Sequence, residues 1–429
     1  MVQHDRTVVK ECDEFAGDAE LDRARGHQRA GIPAAVERDA PQRNPVERVM
    51  VVGSGPRFVS GLSYYTNALA NAMSREYDTS VVLMRRLLPR RMYPGADRVG
   101  TPIAALHYPP EVRVYDGVDW FWFPSMFRAL WLLSGRRPQV VTFQWWTGAV
   151  AHSYLVLALA ARLVGARIIL EMHEIQDTGE AELPFVRRYT RLVMALLVRL
   201  VDGFVIHSEA DRKPLAETYP VGDKPVEVIL HGPFAQYSSK TDPPLRMAPV
   251  DCTNLTFFGT IRPYKGLEDL IRAFERLEHP ERFWLTVVGE TWEGWTLPTE
   301  LIRRSPWGSR ITFVNRYVTD EEAARWLAGA DALVLPYRRS SASGPLHVGM
   351  ALGLPVAVSE LPSLVEASAG YRGSVFFTPG DADGLRDTLE TLAEMKDTRY
   401  DDPLSWEQSI RSYGELMDEI TRVTGASVR

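Results

Sequence analysis

The chain has 429 residues, 45% of them apolar and 24% charged, with 49 Lys plus Arg against 55 Asp plus Glu. At roughly 150 residues per domain that length asks for two or three domains, and a formal net charge of -6 excludes a general nucleic-acid binder, which would be basic. Two cysteines, Cys12 and Cys252, exclude a disulfide scaffold and a cysteine zinc site, so the reading is a cytoplasmic, reducing setting.

Residues 1–46 carry seven basic and nine acidic side chains with little apolar periodicity, the pattern of a disordered tail. From Arg48 short apolar runs alternate with helical patterns. The strand-like runs are 49–53, 80–84, 140–143, 167–173, 203–208 and 226–230, and helices are expected at 62–74, 149–163 and 184–201. Residues 235–252 are polar, aperiodic and contain three prolines, which marks a linker. A second series then begins. Its strands are expected at 255–259, 285–289, 311–314, 332–336, 356–359 and 374–378, and its helices at 267–277, 320–328, 345–352 and 383–395. This alternation predicts an α/β chain of two doubly wound Rossmann-like domains, 47–236 and 253–402, facing across a cleft and joined by a linker at 237–252. A last segment, 403–429, predicts a helix that crosses back to the first domain. The most apolar run, Tyr154 to Leu170, is broken by Arg162, Gly165 and Arg167, so no spanning helix is expected. Arg187 to Val201 reads as a basic amphipathic helix packed on a sheet, with a role at a membrane surface as the other reading.

Several loops at strand ends carry chemistry. Ser60 and Gly61 precede the first helix, where bare N–H groups suit an anion. The dinucleotide pattern fails there, because Phe58 stands where a third glycine is needed and Arg85-Arg86 follow the second strand. Arg262 and Lys265 lie three apart after the first strand of the second domain, a bidentate and a compact cation suited to a diphosphate. In the loop 336–350, Pro345 is expected at the first helical position with Gly344 as cap, and Arg338 and Arg339 would add positive field. His173 ends a strand beside the cleft, where it would be structural or catalytic, whereas His207 reads as a helix cap. Asp381 and Asp383 form D-x-D at a helix start and read as caps, not metal ligands. Trp120, Trp122, Trp145 and Trp146 would stack on an acceptor or fill the core, the latter being the preferred reading. Arg85, Arg86, Arg90 and Arg91 would meet a lipid phosphate or form a solvated loop.

Taken in order, these stretches resemble the retaining GT-B glycosyltransferases of family 4 (group 1). The matching residues are Ser60-Gly61, His173, Gly259-x-x-Arg262-x-x-Lys265-Gly266, Ala330-Asp331-x-x-Val334-Leu335-Pro336, Met350-Ala351-x-Gly353-x-Pro355-Val356, Thr378-Pro379-Gly380-Asp381 and Trp406. The resemblance implies transfer of a sugar, with retention, from a nucleotide-diphosphate-sugar to an acceptor hydroxyl of a glycoconjugate or secondary metabolite. It implies that His173, Arg262 and Lys265 act in catalysis, and that Gly61, Ser340, Ser343, Gly344 and Leu346 bind the donor. Tyr317 and Val318 would border the base. No metal or other cofactor is implied, since the nucleotide-sugar is a substrate. The acceptor would be a sugar, a lipid-linked sugar or a small aglycone, with peripheral membrane contact left open. One departure counts against full carry-over: the E-x7-E glutamates would fall on Ser340 and Val348. Their loss supports the alternative of a non-catalytic GT-B-like binding or partner protein.

Overall fold

The structure is a computed structural model that describes residues 46–56, 61–87, 106–175, 184–238, 242–291, 295–340 and 342–422. The tail to residue 45, Ser60, Arg90, Arg91 and the end of the final segment lie outside the described residues. Residues 45–429 form one compact unit.

Its first sheet comprises β1 (Arg48–Ser54), β2 (Asp78–Arg86), β3 (Arg113–Asp119), β4 (Val140–Trp145), β5 (Arg167–Met172), β6 (Gly203–Ile206) and β7 (Val226–Val228), in the order β3-β2-β1-β4-β5-β6-β7. Every pairing is parallel. The central strands are apolar on both faces because helices cover both. In β1, Met50 and Val52 join one cluster with α2 (Ser125–Arg136), α3 (Ala151–Leu163) and α4 (Pro184–Leu200), whereas Val49 and Val51 face α1 (Gly61–Met73). The edge strand β3 has no counterpart in the sequence reading; its RVYDGVD is half exposed, so it lacks the apolar run that marks inner strands.

A short helix, α5 (Arg212–Thr218), precedes β7, and the second sheet follows. It contains β8 (Thr253–Phe258), β9 (Phe283–Val288), β10 (Ile311–Val314), β11 (Ala332–Leu335), β12 (Val356–Ser359) and β13 (Ser374–Phe377), in the order β10-β9-β8-β11-β12-β13. Between its strands run α6 (Leu267–Glu275), α7 (Leu297–Arg304), α8 (Asp320–Ala328), α9 (Gly344–Ala351), α10 (Pro362–Ala367) and α11 (Ala382–Met395). The fold is therefore the expected pair of doubly wound parallel sheets. In each sheet the strand order reverses beside its first strand, between β1 and β4 and between β8 and β11. Ligands of such sheets bind at those switch points, outside the carboxyl ends.

Two features tie the halves together. The stretch expected as the linker is strapped to the second domain: Leu245 donates its N–H to the Arg325 carbonyl, and the Arg246 guanidinium pairs with Asp331 at 2.8 Å. The last helix, α12 (Trp406–Arg422), lies on the first domain. Leu416 and Ile420 pack over Gly203, and the Trp406 indole lies flat on Gly232, where a Cβ would come within 2.4 Å of the ring. Trp406 also donates from Nε1 to the Pro233 carbonyl at 3.1 Å. None of the described helices is long and apolar enough to cross a membrane.

Candidate functional site

The second-domain half of the site forms at the β8/β11 switch point. Gly259 ends β8 at φ 106°, and Gly266 turns at φ 65°, where a Cβ would collide with the Pro336 carbonyl oxygen at 1.9 Å. Glycine at both positions lets the loop after β8 lie on the loop after β11. As a result, Lys265 Nζ and the Pro345 ring both reach contact distance, 3.5 and 3.4 Å, of the point where a Gly259 Cβ would stand. The ammonium lies 5.4 Å above the Tyr337 ring, and no carboxylate among the described residues pairs with it. Burial and the nearby Arg262 cation pull its pKa down to about 8. Ser343 is the cap of α9, its Oγ accepting from the Leu346 N–H at 3.2 Å. Gly344 is the first helical residue and faces open space.

The first-domain half is built by histidines that follow three adjacent strands. His173 follows β5, His207 follows β6 and His231 lies three residues past β7. Parallel register sets them side by side: ring centroids are 4.6 Å apart for His173 and His207, and 4.1 Å for His207 and His231. His231 then stacks on His347 of α9 at 5.1 Å, so a row of imidazoles runs from one domain into the other. Beneath it lies Glu171, fully buried. Its carboxylate accepts from the Tyr65 hydroxyl at 2.5 Å and the Gln144 amide at 3.1 Å. His173 Nε2 and His207 Nε2 stand 3.8 and 3.6 Å from it. Burial alone would raise its pKa, but the imidazoles and hydrogen bonds outweigh burial and hold it at about 2. Burial, with the neighbouring imidazoles, pulls His207 to about 4, His347 to about 3 and His231 well below 6.5. These three are neutral at pH 7.

Across the cleft, the Tyr64 hydroxyl of α1 donates to Asp320 of α8, and the Tyr64 and Tyr237 rings lie 6.4 Å apart. On the far side, Ser208 Oγ donates to Glu366 of α10 at 2.6 Å. The cleft is thus pinned at both flanks and floored by the histidine row.

Residues 252–395 match the family described as "Glycosyl transferases group 1", and residues 60–232 match the "Glycosyl transferase 4-like domain". Both halves of the chain are glycosyltransferase domains. It is built as a GT-B glycosyltransferase. A Xanthomonas campestris relative, GDP-mannose:glycolipid 4-beta-D-mannosyltransferase, is 31% identical over 39% of this chain and 46% of that protein, so the chain spans about half the length of this curated relative. The glycogen synthase of Mycobacterium tuberculosis is 24% identical over 83% of this chain and 86% of its own. Among solved structures, Anabaena HepE in complex with UDP and glucose has the same fold, with a TM-score of 0.56 at 13% identity over 89% of this chain and all of that one.

Within this GT-B frame, Lys265, Gly344 and the cap Ser343 come together at the second switch point, with Arg262 close enough to act on the Lys265 charge. His173 stands on the opposite domain. Gly61 is the exposed first residue of α1, with nothing within 4 Å of the point where a Cβ would stand. Tyr317 lies near Tyr64 and Tyr237, and Val318 is buried beside Trp326. Several expectations change. The cap of α9 is Ser343, not Gly344. Leu346 has its side chain in the core and its N–H taken by Ser343. Arg338 is spent on Glu268 and Asp269, at 2.6 and 2.8 Å, and Arg339 stacks over Tyr264. His207 is no cap: Ser208 takes that role, while His207 Nδ1 donates to the Ile229 carbonyl at 2.8 Å. Ser340 Oγ donates to the Ala342 carbonyl. Val348, where the second glutamate would fall, is buried in the apolar core. Of the tryptophans, Trp145 and Trp146 are core but Trp120 and Trp122 are exposed. Asp381 caps α11 through the N–H groups of Asp383 and Gly384.

Glu171, His231 and His347 were not singled out in the sequence. Their signal is there: an acid inside an otherwise apolar strand, two residues before a histidine and therefore on the same face.

The imidazoles of His173, His207 and His231 offer ligand atoms within 4.8 Å of one another, the one group among the described residues with the spacing and chemistry to hold a metal ion.

Proposed function

We propose that the protein transfers a sugar from a nucleoside-diphosphate-sugar to a hydroxyl of a lipid-linked glycan held at a membrane surface. The observation that carries this reading is the meeting of Lys265 with the start of α9 beside Gly259. Two cations, Arg262 and Lys265, share a partly buried pocket in which no carboxylate among the described residues pairs with Lys265, and the amide end of a helix opens beside them. Such a pocket gains most from an anion, and charge grows on the departing diphosphate in the transition state. The glycolipid acceptor and mannosyl donor named for the Xanthomonas relative, and the UDP bound by HepE, support the class.

In this reading the diphosphate lies against Arg262, Lys265 and the α9 terminus, the base near Tyr317, and Gly61 faces the phosphates from the other domain. His173 orients the sugar. The acceptor oxygen bonds to the anomeric carbon, the carbon–phosphate-oxygen bond breaks, and the acceptor's proton passes to the leaving phosphate. That front-face course keeps the anomeric configuration and needs neither a metal nor an enzyme nucleophile. Inversion is the second reading, and one observation favours it: His173 is backed by Glu171, an imidazole–carboxylate pair suited to a general base. Comparing the anomeric configuration of donor and product by NMR separates the two. The assignment as a whole is tested by a panel of nucleotide-sugars with released diphosphate as readout. Arg262→Ala or Lys265→Ala should lower kcat/KM at least about ten-fold, since one charged hydrogen bond contributes about 1.5–3 kcal/mol. Unchanged turnover in both variants sinks it.

A further inference from the structure

The layer formed by α2, α3 and α4 leaves a surface that the sugar-transfer site does not use. Phe123, Phe127 and Trp131 follow one another at four-residue spacing, and so share one face of α2 and its entry turn. They are 72%, 65% and 80% exposed, and the rings of Phe123 and Phe127 lie 6.1 Å apart. Trp120 and Phe121 extend the stripe into the preceding turn, also exposed. That turn is anchored and not adrift: Trp122 Nε1 donates to Ser153 of α3 at 3.1 Å, and His152 of α3 lies 3.3 Å from the Trp120 carbonyl and 3.0 Å from the Tyr189 hydroxyl of α4. The aromatic turn and the start of α4 are therefore continuous, and Phe185, 83% exposed, stands at that start.

Charge on this layer opposes the charge of the whole. The chain is net -6, yet α4 carries four arginines, α2 two and α3 one, with no Asp or Glu in any of the three helices. Arg136 and Arg162 are paired with Asp78 and Asp202; Arg128, Arg187, Arg188, Arg191 and Arg199 stand exposed among the apolar side chains. An exposed aromatic patch of this kind marks a contact surface. Trp and Phe set among arginines match the interfacial zone of an anionic bilayer, where rings sit at headgroup depth and cations meet lipid phosphate. None of the described helices can span a membrane, so the contact lies in the plane of the leaflet.

We infer that the face made by residues 120–131 and α4 docks the protein on an anionic membrane surface. This rests on the reading above that the acceptor is membrane-held, and names the surface that brings the enzyme to it. The test is flotation of the full chain with phosphatidylcholine vesicles, with and without phosphatidylglycerol. The expected result is binding to the anionic vesicles, weakened at least ten-fold by raised salt or by Arg188→Glu with Arg191→Glu, and weakened at least ten-fold by Phe127→Ser with Trp131→Ser. Both pairs are exposed, so the thermal midpoint and donor hydrolysis in solution should stay at wild-type values. Donor hydrolysis without flotation overturns the docking surface and leaves the transferase reading standing; flotation without hydrolysis does the reverse. Flotation of the aromatic variant equal to wild type also overturns the inference. So does a wild-type dimer that the aromatic variant turns into a monomer, which would assign the face to a second copy of the chain.

Discussion

His231 stacks on His347 with ring centroids 5.1 Å apart and planes 30° from parallel, so the two domains meet imidazole to imidazole on the cleft floor. Neither ring nitrogen of His231 has a partner among the described residues. Unsatisfied buried nitrogens are costly, and neutral imidazoles that can donate and accept are suited to the hydroxyls of a sugar. On the proposed reading, the row would take up sugar contacts that the family pattern assigns to the two glutamates.

The same row predicts an acid-labile fold. His207, His231 and His347 have folded pKa values below the usual 6.5, so below pH 6.5 the unfolded chain binds more protons than the folded one. Their contribution is complete above pH 6.5 and is lost as pH falls towards 4, at up to about 1.4 kcal/mol per pH unit for each histidine. Thermal melts should show a steep drop between pH 7 and 5. His347→Gln should flatten it by about one proton's share; an unchanged slope in that variant would contradict the account.

Lys265 gives a second pH dependence, in activity. Burial and Arg262 bring its pKa to about 8, so the free enzyme loses this cation as pH rises past 8. The donor's kcat/KM, which reports the free enzyme, should fall on that limb. Lys265→Arg should keep the charge and abolish the alkaline fall while lowering the plateau, since a guanidinium does not reproduce the compact ammonium. A fall that persists unaltered in the arginine variant assigns it to another group.

Much of this fold was legible in the sequence. Runs such as RIILEM and ALVL are long enough and apolar enough to mark inner parallel strands, and Gly266 and Pro345 punctuate the donor-side loops. What the sequence hid depends on sheet order. His173, His207 and His231 are far apart along the chain, and only the β5-β6-β7 adjacency makes them neighbours. His207 alone reads as a cap, His231 carries no local signal, and His173, read beside the cleft, gives no sign of the other two. The aromatic turn failed for a different reason: Trp120 and Trp122 have the same composition as buried Trp145 and Trp146, and what separates them is that β4 is central whereas β3 is an edge. The spent arginine Arg338 was equally hidden, because its partners Glu268 and Asp269 are brought up by the Gly266 turn.

Glu171 acts through the groups it holds. It accepts from Tyr65 and Gln144 and stands beside His173, so it fixes the imidazole that faces the cleft. Glu171→Gln keeps the shape but removes the charge, and the lost charged hydrogen bonds should cost about 1.5–3 kcal/mol of stability. Turnover should drop while the donor's KM changes little, because on the proposed reading the other domain grips the diphosphate. Tyr65→Phe should do the same more weakly. Stability and kcat both at wild-type values in Glu171→Gln would remove it from the site.

The last prediction concerns metal. Three imidazoles whose ligand atoms lie within 4.8 Å are a donor set that zinc accepts, and the proton His207 Nδ1 gives to Ile229 leaves Nε2 as a lone pair, as in a prepared ligand. Yet that lone pair and His173 Nε2 both point towards Glu171, which the Tyr65 hydroxyl already occupies, and zinc would need every nitrogen at about 2.0–2.1 Å. On the proposed reading, Arg262, Lys265 and the α9 terminus would supply the positive charge that a departing diphosphate requires. Protein stripped with EDTA should therefore retain both its thermal midpoint and its turnover, and added zinc should inhibit by locking the imidazoles that face the sugar. Stoichiometric zinc in the purified protein, with activity lost on removal and restored on return, would instead make the histidine row a metal centre and move the chemistry from the diphosphate to the first domain.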